Sequence, residues 1–139
     1  MIIFKDLSEE DLLKEIEYNA YSIRYVVDPS EALQLAAVSR DGYALEFIKN
    51  PSECVKLAAV KDDGFSVRFI DNPSEEIQLA AVRQNPFSID GISNPTERVQ
   101  LEAVEQNWRT FYNINNPSES AKLLMEKGWR SHDVFFSPF

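Results

Sequence analysis

Residues 50–71 read NPSECVKLAAVKDDGFSVRFID, and the next 22 residues, 72–93, read NPSEEIQLAAVRQNPFSIDGIS. The same spacing runs along the chain, because prolines recur every 22 residues at Pro29, Pro51, Pro73, Pro95 and Pro117. Each of these prolines follows Asp or Asn and stands two residues before Glu, and residues 6–9 repeat the signature with Leu in place of Pro. A fixed period of this kind indicates a tandem array of one supersecondary unit. We therefore divide residues 1–139 into six units of one domain, with approximate bounds 7–28, 29–50, 51–72, 73–94, 95–116 and 117–139.

Each signature predicts the start of an α-helix. We expect Asp or Asn to be the N-cap and the proline to lie in the first turn, where its missing N–H costs nothing. The Glu would then be the third helical residue and would bond back to the N–H of the cap, as in a capping box. Gly42 and Gly64 stand where the helix should end, and we expect both in the left-handed conformation that follows a helix.

Two apolar segments follow each signature. The first, for example Leu35-Ala36-Ala37-Val38, spreads around much of a helix, as is typical of helices packed between neighbours. The second, for example residues 43–48, has the length and composition of either a strand or a short helix. We favour the short helix, because a helix packed on the preceding one needs no sheet partner. The predicted fold class is all-α, a short α-solenoid of about six tandem helix-turn-helix repeats of 22 residues.

The two ends depart from the repeat as capping units should. In the first unit, Lys14 and Glu15 replace the Ala-Ala pair and would make the outer face polar. In the last unit, Gly128 is expected to end the helix early. An aromatic tail follows, which we expect either to fold back as a lid or to mediate self-association into a homo-oligomer; its members are Trp129, Phe135, Phe136 and Phe139.

The composition limits the classes of function. With 23 acidic and 14 basic residues the net charge is −9, which disfavours direct binding to nucleic acid and leaves open a basic, nucleic-acid-binding protein as partner. The single cysteine, Cys54, can form no intramolecular disulfide, which favours a reducing, intracellular setting. The start of the chain does not read as a signal peptide, and no run approaches the roughly 20 apolar residues of a membrane span. We therefore expect a cytoplasmic protein without membrane association.

Residues that carry catalytic chemistry are scarce. The only histidine, His132, lies close to the C-terminus, and Cys54 stands at a repeat position that other units fill with Glu, Ala, Arg or Ser. The acidic pair Asp62-Asp63 reads as a solvated turn rather than a metal site. No glycine-rich loop for phosphate is present. We expect no catalytic residues, no metal and no cofactor.

The unit NPSExxxLAAVxxxG followed by Tyr or Phe, seen from Asn50 to Phe65 and loosely from Asn72 to Phe87, resembles a known repeat family. That family is a short helical repeat of unknown function found in bacteriophage, bacterial and protist proteins. The resemblance covers residues 6 to about 127. It implies a helical repeat fold and a phage origin, in which case the protein would act in the host cytoplasm, and it carries no catalytic residues to transfer.

Departures from the repeat indicate where a partner would bind. Gly91 stands where other units carry an aromatic residue, and this loss should open a groove. In the fifth unit Trp108, Arg109 and Tyr112 break the pattern of the second segment, and these residue types are enriched at binding hot spots. We take these four residues, together with Phe87, as the candidate partner-binding set. The alternative is compensation, in which Trp108 or Phe111 fills the space that Gly91 leaves.

A second candidate surface is acidic. The first 28 residues carry seven acidic side chains against three basic ones, and Glu10, Asp11 and Glu17 form the candidate patch. Its alternative reading is an ordinary solvated helix face. The leading hypothesis is a non-enzymatic protein–protein interaction solenoid, in a narrower form a phage-encoded inhibitor of a host protein such as a defence nuclease. A nucleic-acid mimic that occupies a basic groove is the second hypothesis, and an enzyme of unknown type is the third.

Overall fold

The structure is a computed structural model that describes residues 4–133, with side chains described for residues 4–131. Phe135, Phe136 and Phe139 of the predicted tail lie outside the described residues, as does the side chain of His132. Within the described range the chain is helical and has no strand. α-Helices alternate with short 3₁₀ helices, which we label η: α1 (Glu9–Tyr18), η1 (Ala20–Tyr25), α2 (Glu31–Arg40), η2 (Gly42–Phe47), α3 (Glu53–Asp62), η3 (Gly64–Phe69), α4 (Glu75–Gln84), η4 (Pro86–Gly91), α5 (Glu97–Gln106), η5 (Trp108–Asn113) and α6 (Glu119–Asp133).

The helices form two layers. Each α-helix packs on the next α-helix, and each 3₁₀ helix packs on the next 3₁₀ helix and on the α-helices at both of its sides. The predicted all-α solenoid is therefore confirmed, and the second segment of each of the first five units is a short helix of the 3₁₀ kind, whereas in the sixth unit the single helix α6 covers Glu119–Asp133. In η3, for example, Ser66 N donates to Asp63 O and Ile70 N donates to Val67 O, both at 3.0 Å. The unit-five segment also forms this 3₁₀ helix, although its sequence departs from the pattern.

The predicted helix caps were wrong by two residues. Ser30, not Asp28, is the N-cap of α2, and its hydroxyl accepts from Leu33 N at 3.3 Å. The helix begins at Glu31, so this Glu is the first helical residue and makes no capping box. Asp28 instead adopts a left-handed φ of 48°, which Asp and Asn tolerate better than most residues. Asn50, Asn72 and Asn116 do the same, with φ of 49°, 50° and 55°.

Glu side chains at the first position of an α-helix, which make no capping box, instead accept hydrogen bonds from the next unit. Ser30 Oγ donates to Glu9 Oε1 at 2.8 Å, and Thr96 Oγ1 donates to Glu75 Oε1 at 2.6 Å. Each of these hydroxyls therefore accepts a bond from its own helix and donates one to the unit before it.

A buried glutamine makes a second link between units. Gln78 Nε2 donates to Pro73 O of its own turn at 2.9 Å, and Gln78 Oε1 accepts from Thr96 N of the next unit at 3.3 Å. Gln100 makes the same pair of bonds, to Pro95 O at 3.1 Å and from Ser118 N at 2.8 Å. Each amide thus satisfies backbone groups of two successive turns.

The predicted left-handed glycines were also wrong, because no glycine in the described residues has a positive φ. Gly42 and Gly64 are required by space: a Cβ at either would lie 2.5 Å from a backbone oxygen of the following α-helix, Ala59 O or Ala81 O. The small, fully buried side chains of Ala59 and Ala81 are part of this close approach. Gly128 does not end α6, which continues to Asp133. A Cβ at Gly128 would lie 2.9 Å from Trp108 Cβ, so this glycine makes room for the tryptophan.

Candidate functional site

The 3₁₀ layer carries aromatic side chains that recur with the repeat. The second residue of each 3₁₀ helix meets the sixth residue of the next one: Tyr21 lies 5.7 Å from Phe47 and Tyr43 lies 5.6 Å from Phe69, measured between ring centroids. Both pairs are edge-to-face with an interplanar angle of 75°. We call these pairs the rungs of an aromatic ladder. Edge-to-face pairs of this kind are attractive beyond their buried area, so the ladder helps to hold successive 3₁₀ helices together.

The first rung is covered by a cation. The guanidinium of Arg24 lies 4.6 Å from the centroid of Phe47, within the range of a cation–π contact. In η3 the equivalent arginine is Arg68, but the sixth residue of η4 is Gly91, which has no ring for it to cover. Arg68 lies 5.7 Å from Phe65 and 6.0 Å from Tyr43.

The ladder stops at Gly91. Phe65, the second residue of η3, would form the third rung with the sixth residue of η4, but that residue is Gly91, which has no ring. A groove of about 470 Å³ lies here, which we call the Gly91 groove; Arg68, Asp71 and Ser93 are among the residues that line it. An equivalent groove of about 430 Å³ lies two units earlier, where Phe47 provides the wall. A groove at this position therefore occurs in more than one unit, and it is lined by Gly91 here where Phe47 lines the earlier one.

Neither Trp108 nor Phe111 supplies the atoms nearest to Gly91. The heavy atoms nearest to a Cβ built at Gly91 are Val67 Cγ1 at 3.2 Å and Arg68 Cβ at 3.4 Å. Both belong to the preceding unit, whereas Trp108 packs on Gly128 of α6 and Phe111 packs against the core.

Three of the predicted partner-binding residues lie together on η5. The guanidinium of Arg109 lies 4.8 Å from the Trp108 ring, and the Trp108 ring lies 6.4 Å from that of Tyr112 in an edge-to-face arrangement. We call these residues the Trp108 cluster. Tyr112 is 72% exposed, and a groove of about 550 Å³ beside the cluster is lined by Trp108, Arg109 and residues of α6. Phe87 and Gly91 belong to η4, which packs against η5, and they do not line the groove beside the cluster.

The predicted acidic patch is exposed on α1 but is not purely acidic. Lys14 Nζ lies 3.1 Å from Glu10 Oε1 and 3.9 Å from Asp11 Oδ1. Asp11 also accepts a hydrogen bond from Ser8 Oγ at 2.8 Å, while Glu17 is exposed. Two of the three patch carboxylates therefore share a lysine, which lowers the local negative charge.

Sequence reasoning missed the tyrosines of the first unit. Tyr18, the last residue of α1, is 85% exposed, and Tyr21 and Tyr25 of η1 are partly exposed. Tyr21 Oη donates to Asp41 Oδ2 at 2.7 Å, and this bond to a carboxylate raises the pKa of Tyr21 to about 12. The signal that would have found Tyr21 is the recurrence of an aromatic residue every 22 positions, at residues 21, 43, 65 and 87.

The residues that were considered for chemistry have structural roles or lie on the surface. Asp63 is the cap of η3 and accepts from Phe65 N at 2.9 Å, and Asp62 Oδ2 accepts from Gly42 N at 2.8 Å. Cys54 is exposed. No group of three or more His, Cys, Asp and Glu side chains in the described part of the chain is placed to hold a metal ion. No helix there is long and apolar enough to cross a bilayer.

Comparison with protein-family models, curated proteins and solved structures gives no match. The class of the molecule therefore rests on its own architecture: it is a helical-repeat solenoid in which, within residues 4–133, five pairs of an α-helix and a 3₁₀ helix are followed by the α-helix α6.

Proposed function

We propose that the chain is a non-enzymatic, protein-binding solenoid whose partner contacts the Trp108 cluster. The observation that carries the proposal is the exposure of Tyr112, at 72%, beside a tryptophan and an arginine that stack on each other. At the position of Tyr112, the four preceding 3₁₀ helices carry charged residues: Arg24, Glu46, Arg68 and Asp90. An aromatic ring that stays largely in water contributes little to folding, and Trp, Tyr and Arg are the residue types that dominate binding hot spots.

The groove beside the cluster supports the same proposal. Leu124 and Lys127 of α6 line it together with Trp108, so a partner would contact two elements that Gly128 holds close together. In a narrower form of the proposal, the chain is a phage-encoded inhibitor, and the partner that it binds is a host protein such as a defence nuclease. The resemblance to repeats of phage proteins supports this narrower form.

The nucleic-acid mimic has weaker support. A mimic presents unneutralised carboxylates to a basic groove, whereas Lys14 pairs with Glu10 and Asp11 of the acidic patch. If the patch is nevertheless the binding surface, binding should be lost at high salt and on charge reversal at Glu10, Asp11 and Glu17. Binding through the Trp108 cluster should survive both changes.

The experiment is a comparative affinity capture from host lysate with three single variants. Tyr112→Ala and Arg109→Ala remove exposed parts of the cluster, and Tyr18→Ala is the matched control, because Tyr18 is an exposed tyrosine at the other end of the array. A protein that the wild type and Tyr18→Ala capture, and that both cluster variants lose, supports the proposal. Equal capture by all four proteins contradicts it.

A further inference from the structure

We propose that the Gly91 groove receives an aromatic side chain of a partner protein, which takes the place of the ring missing from the third rung of the ladder. This inference rests on the proposed function, since it assumes a protein partner, and it adds a second contact surface of defined chemistry. Its site is η3 and η4, whereas the Trp108 cluster lies on η5 and against α6.

The chain itself shows what this position accommodates. At the equivalent place two units earlier, Phe47 packs edge-to-face on Tyr21 at 5.7 Å under the guanidinium of Arg24. In η3 the residues equivalent to Tyr21 and Arg24 are Phe65 and Arg68. The ring equivalent to Phe47 is absent, because residue 91 is glycine. Within the described residues Phe65 has no ring packed on it, and it is only half-buried.

The electrostatics favour an aromatic occupant over an aliphatic one. Arg68 is exposed, lines the groove and forms no ion pair within the described residues. A guanidinium attracts the electron-rich face of a ring but has no comparable attraction for an aliphatic side chain. An incoming ring would thus meet the charge of Arg68, which lines the groove. It would reach Phe65, which does not line the groove, where it takes the place that Phe47 has against Tyr21.

The other broken rung lacks this chemistry. Opposite Phe87 the sixth residue of η5 is Asn113, a polar side chain that occupies part of the space. The residue equivalent to Arg68 in η4 is Asp90, whose negative charge does not favour a ring face. Only the rung at Gly91, among the described units, combines a half-buried ring, a cation and no side chain between them.

The test is an NMR titration of the full chain with two uncharged probes of similar size, N-acetyl-phenylalaninamide and N-acetyl-leucinamide. The backbone amides of Gly91 and Ile92 and the Nε–H of Arg68 are followed in ¹⁵N correlation spectra. The expected result is a saturable shift at these three groups with the phenylalanine probe and a much smaller one with the leucine probe. Equal response to both probes, or no saturable shift at these groups, overturns the proposal.

Two variants sharpen the test. Gly91→Phe supplies the ring from within the chain, as in the other units, and should abolish the response to the probe. Because a Cβ at this residue lies 3.2 Å from Val67 Cγ1, circular dichroism must first show that the variant folds. Arg68→Gln leaves the packed residues in place and should weaken probe affinity by about two- to fivefold. Arg24→Gln is its matched control, because Arg24 covers a ring of the chain itself, and it should leave the affinity unchanged.

The two proposals fail independently. If the probe does not bind at Gly91 while capture still depends on Tyr112, the solenoid is a protein binder and the aromatic pocket is wrong. If the probe binds but no protein is lost on mutation of the Trp108 cluster, the pocket stands and the location proposed for the partner is wrong.

Discussion

Ser74 and Glu53 begin neighbouring α-helices, and Ser74 Oγ donates a hydrogen bond to Glu53 Oε1 at 2.6 Å. The same hydroxyl accepts from Ile77 N at 3.3 Å and so caps its own helix. One small side chain therefore both starts a helix and ties it to the preceding unit. Ser30 and Thr96 make the same two kinds of bond at the starts of α2 and α5.

The first prediction tests this double use. Ser74→Ala should destabilise the protein by about 1–2 kcal/mol, because it removes a cap and a bond to a carboxylate. Ser52→Ala is the matched control: Ser52 caps α3 through Val55 N at 3.3 Å, and no bond from Ser52 to Glu31 is present in the described residues. Ser52→Ala should lower the free energy of unfolding by about 0.5–1 kcal/mol less than Ser74→Ala does, as measured by urea unfolding. Equal losses would show that the bond to Glu53 contributes nothing.

The second prediction concerns Gly64. Gly64→Ala should cost about 1–3 kcal/mol of unfolding free energy, because its Cβ would lie 2.5 Å from Ala81 O, a backbone atom that cannot turn away. Ala20 occupies the equivalent position of the first unit, so such a junction can widen, and the variant should still fold. Gly91→Ala, whose Cβ contacts begin at 3.2 Å with a side chain, should cost less. A thermal melt in which Gly64→Ala matches the wild type would contradict the role given to this glycine.

The third prediction concerns two fully buried hydroxyls. Ser66 Oγ and Ser88 Oγ have no hydrogen-bond partner, and Ala44 fills the same repeat position in the second unit. Ser88→Ala should therefore be neutral or stabilise the protein by up to about 1 kcal/mol, since it removes a desolvated polar group. Thr110→Val is the contrasting variant, because Thr110 Oγ1 donates to Asn107 O at 2.8 Å, and it should destabilise by about 1 kcal/mol. Urea unfolding of both variants decides the point; destabilisation by Ser88→Ala would mean that the hydroxyl has a partner, such as a bound water.

The fourth prediction concerns the ionisation of Tyr21. Its pKa is raised from 10.0 to about 12, first by the hydrogen bond to Asp41, so its folded-state pKa lies above its unfolded one. The stabilisation linked to this group is therefore fully present below pH 10 and is lost as the pH rises through about 12. Asp41→Asn should return the pKa towards its ordinary value while keeping the η2 cap, because Asn fills that position in η1, η4 and η5. The Cζ chemical shift of Tyr21 followed against pH measures this; an unchanged midpoint in the variant would exclude Asp41 as the cause.

The spacing of Pro29, Pro51 and their successors was enough to predict the tandem helical-repeat class. It was not enough to place the caps, because Asn50-Pro51-Ser52-Glu53 contains two residues that suit an N-cap, and the choice depends on the left-handed φ of Asn50. Gly42 was misread for a related reason. A sequence shows that a side chain is absent but does not show whether the backbone angle or a neighbouring carbonyl requires its absence.

The candidate site was predicted unevenly. Departures from the repeat located Trp108, Arg109 and Tyr112, which the structure brings together. The same approach missed Tyr21 and Tyr43, because residues that recur with the repeat were assigned to the scaffold. Their edge-to-face packing on Phe47 and Phe69 depends on a 3₁₀ geometry that composition alone does not determine.

The hydrogen bonds that Gln78 and Gln100 make between units all run in the same direction along the array. In each case the amide oxygen holds a backbone N–H of the unit that follows, never of the one that precedes. Deleting residues from the C-terminal end would thus leave an acceptor of the shortened protein without its donor, whereas deletion of the first unit disturbs neither amide. Truncations of equal length from the two ends should therefore not be equivalent, because removal of α6 together with the turn before it takes away the N–H of Ser118 that Gln100 Oε1 accepts from, whereas removal of the first unit leaves the bonds of Gln78 and Gln100 intact.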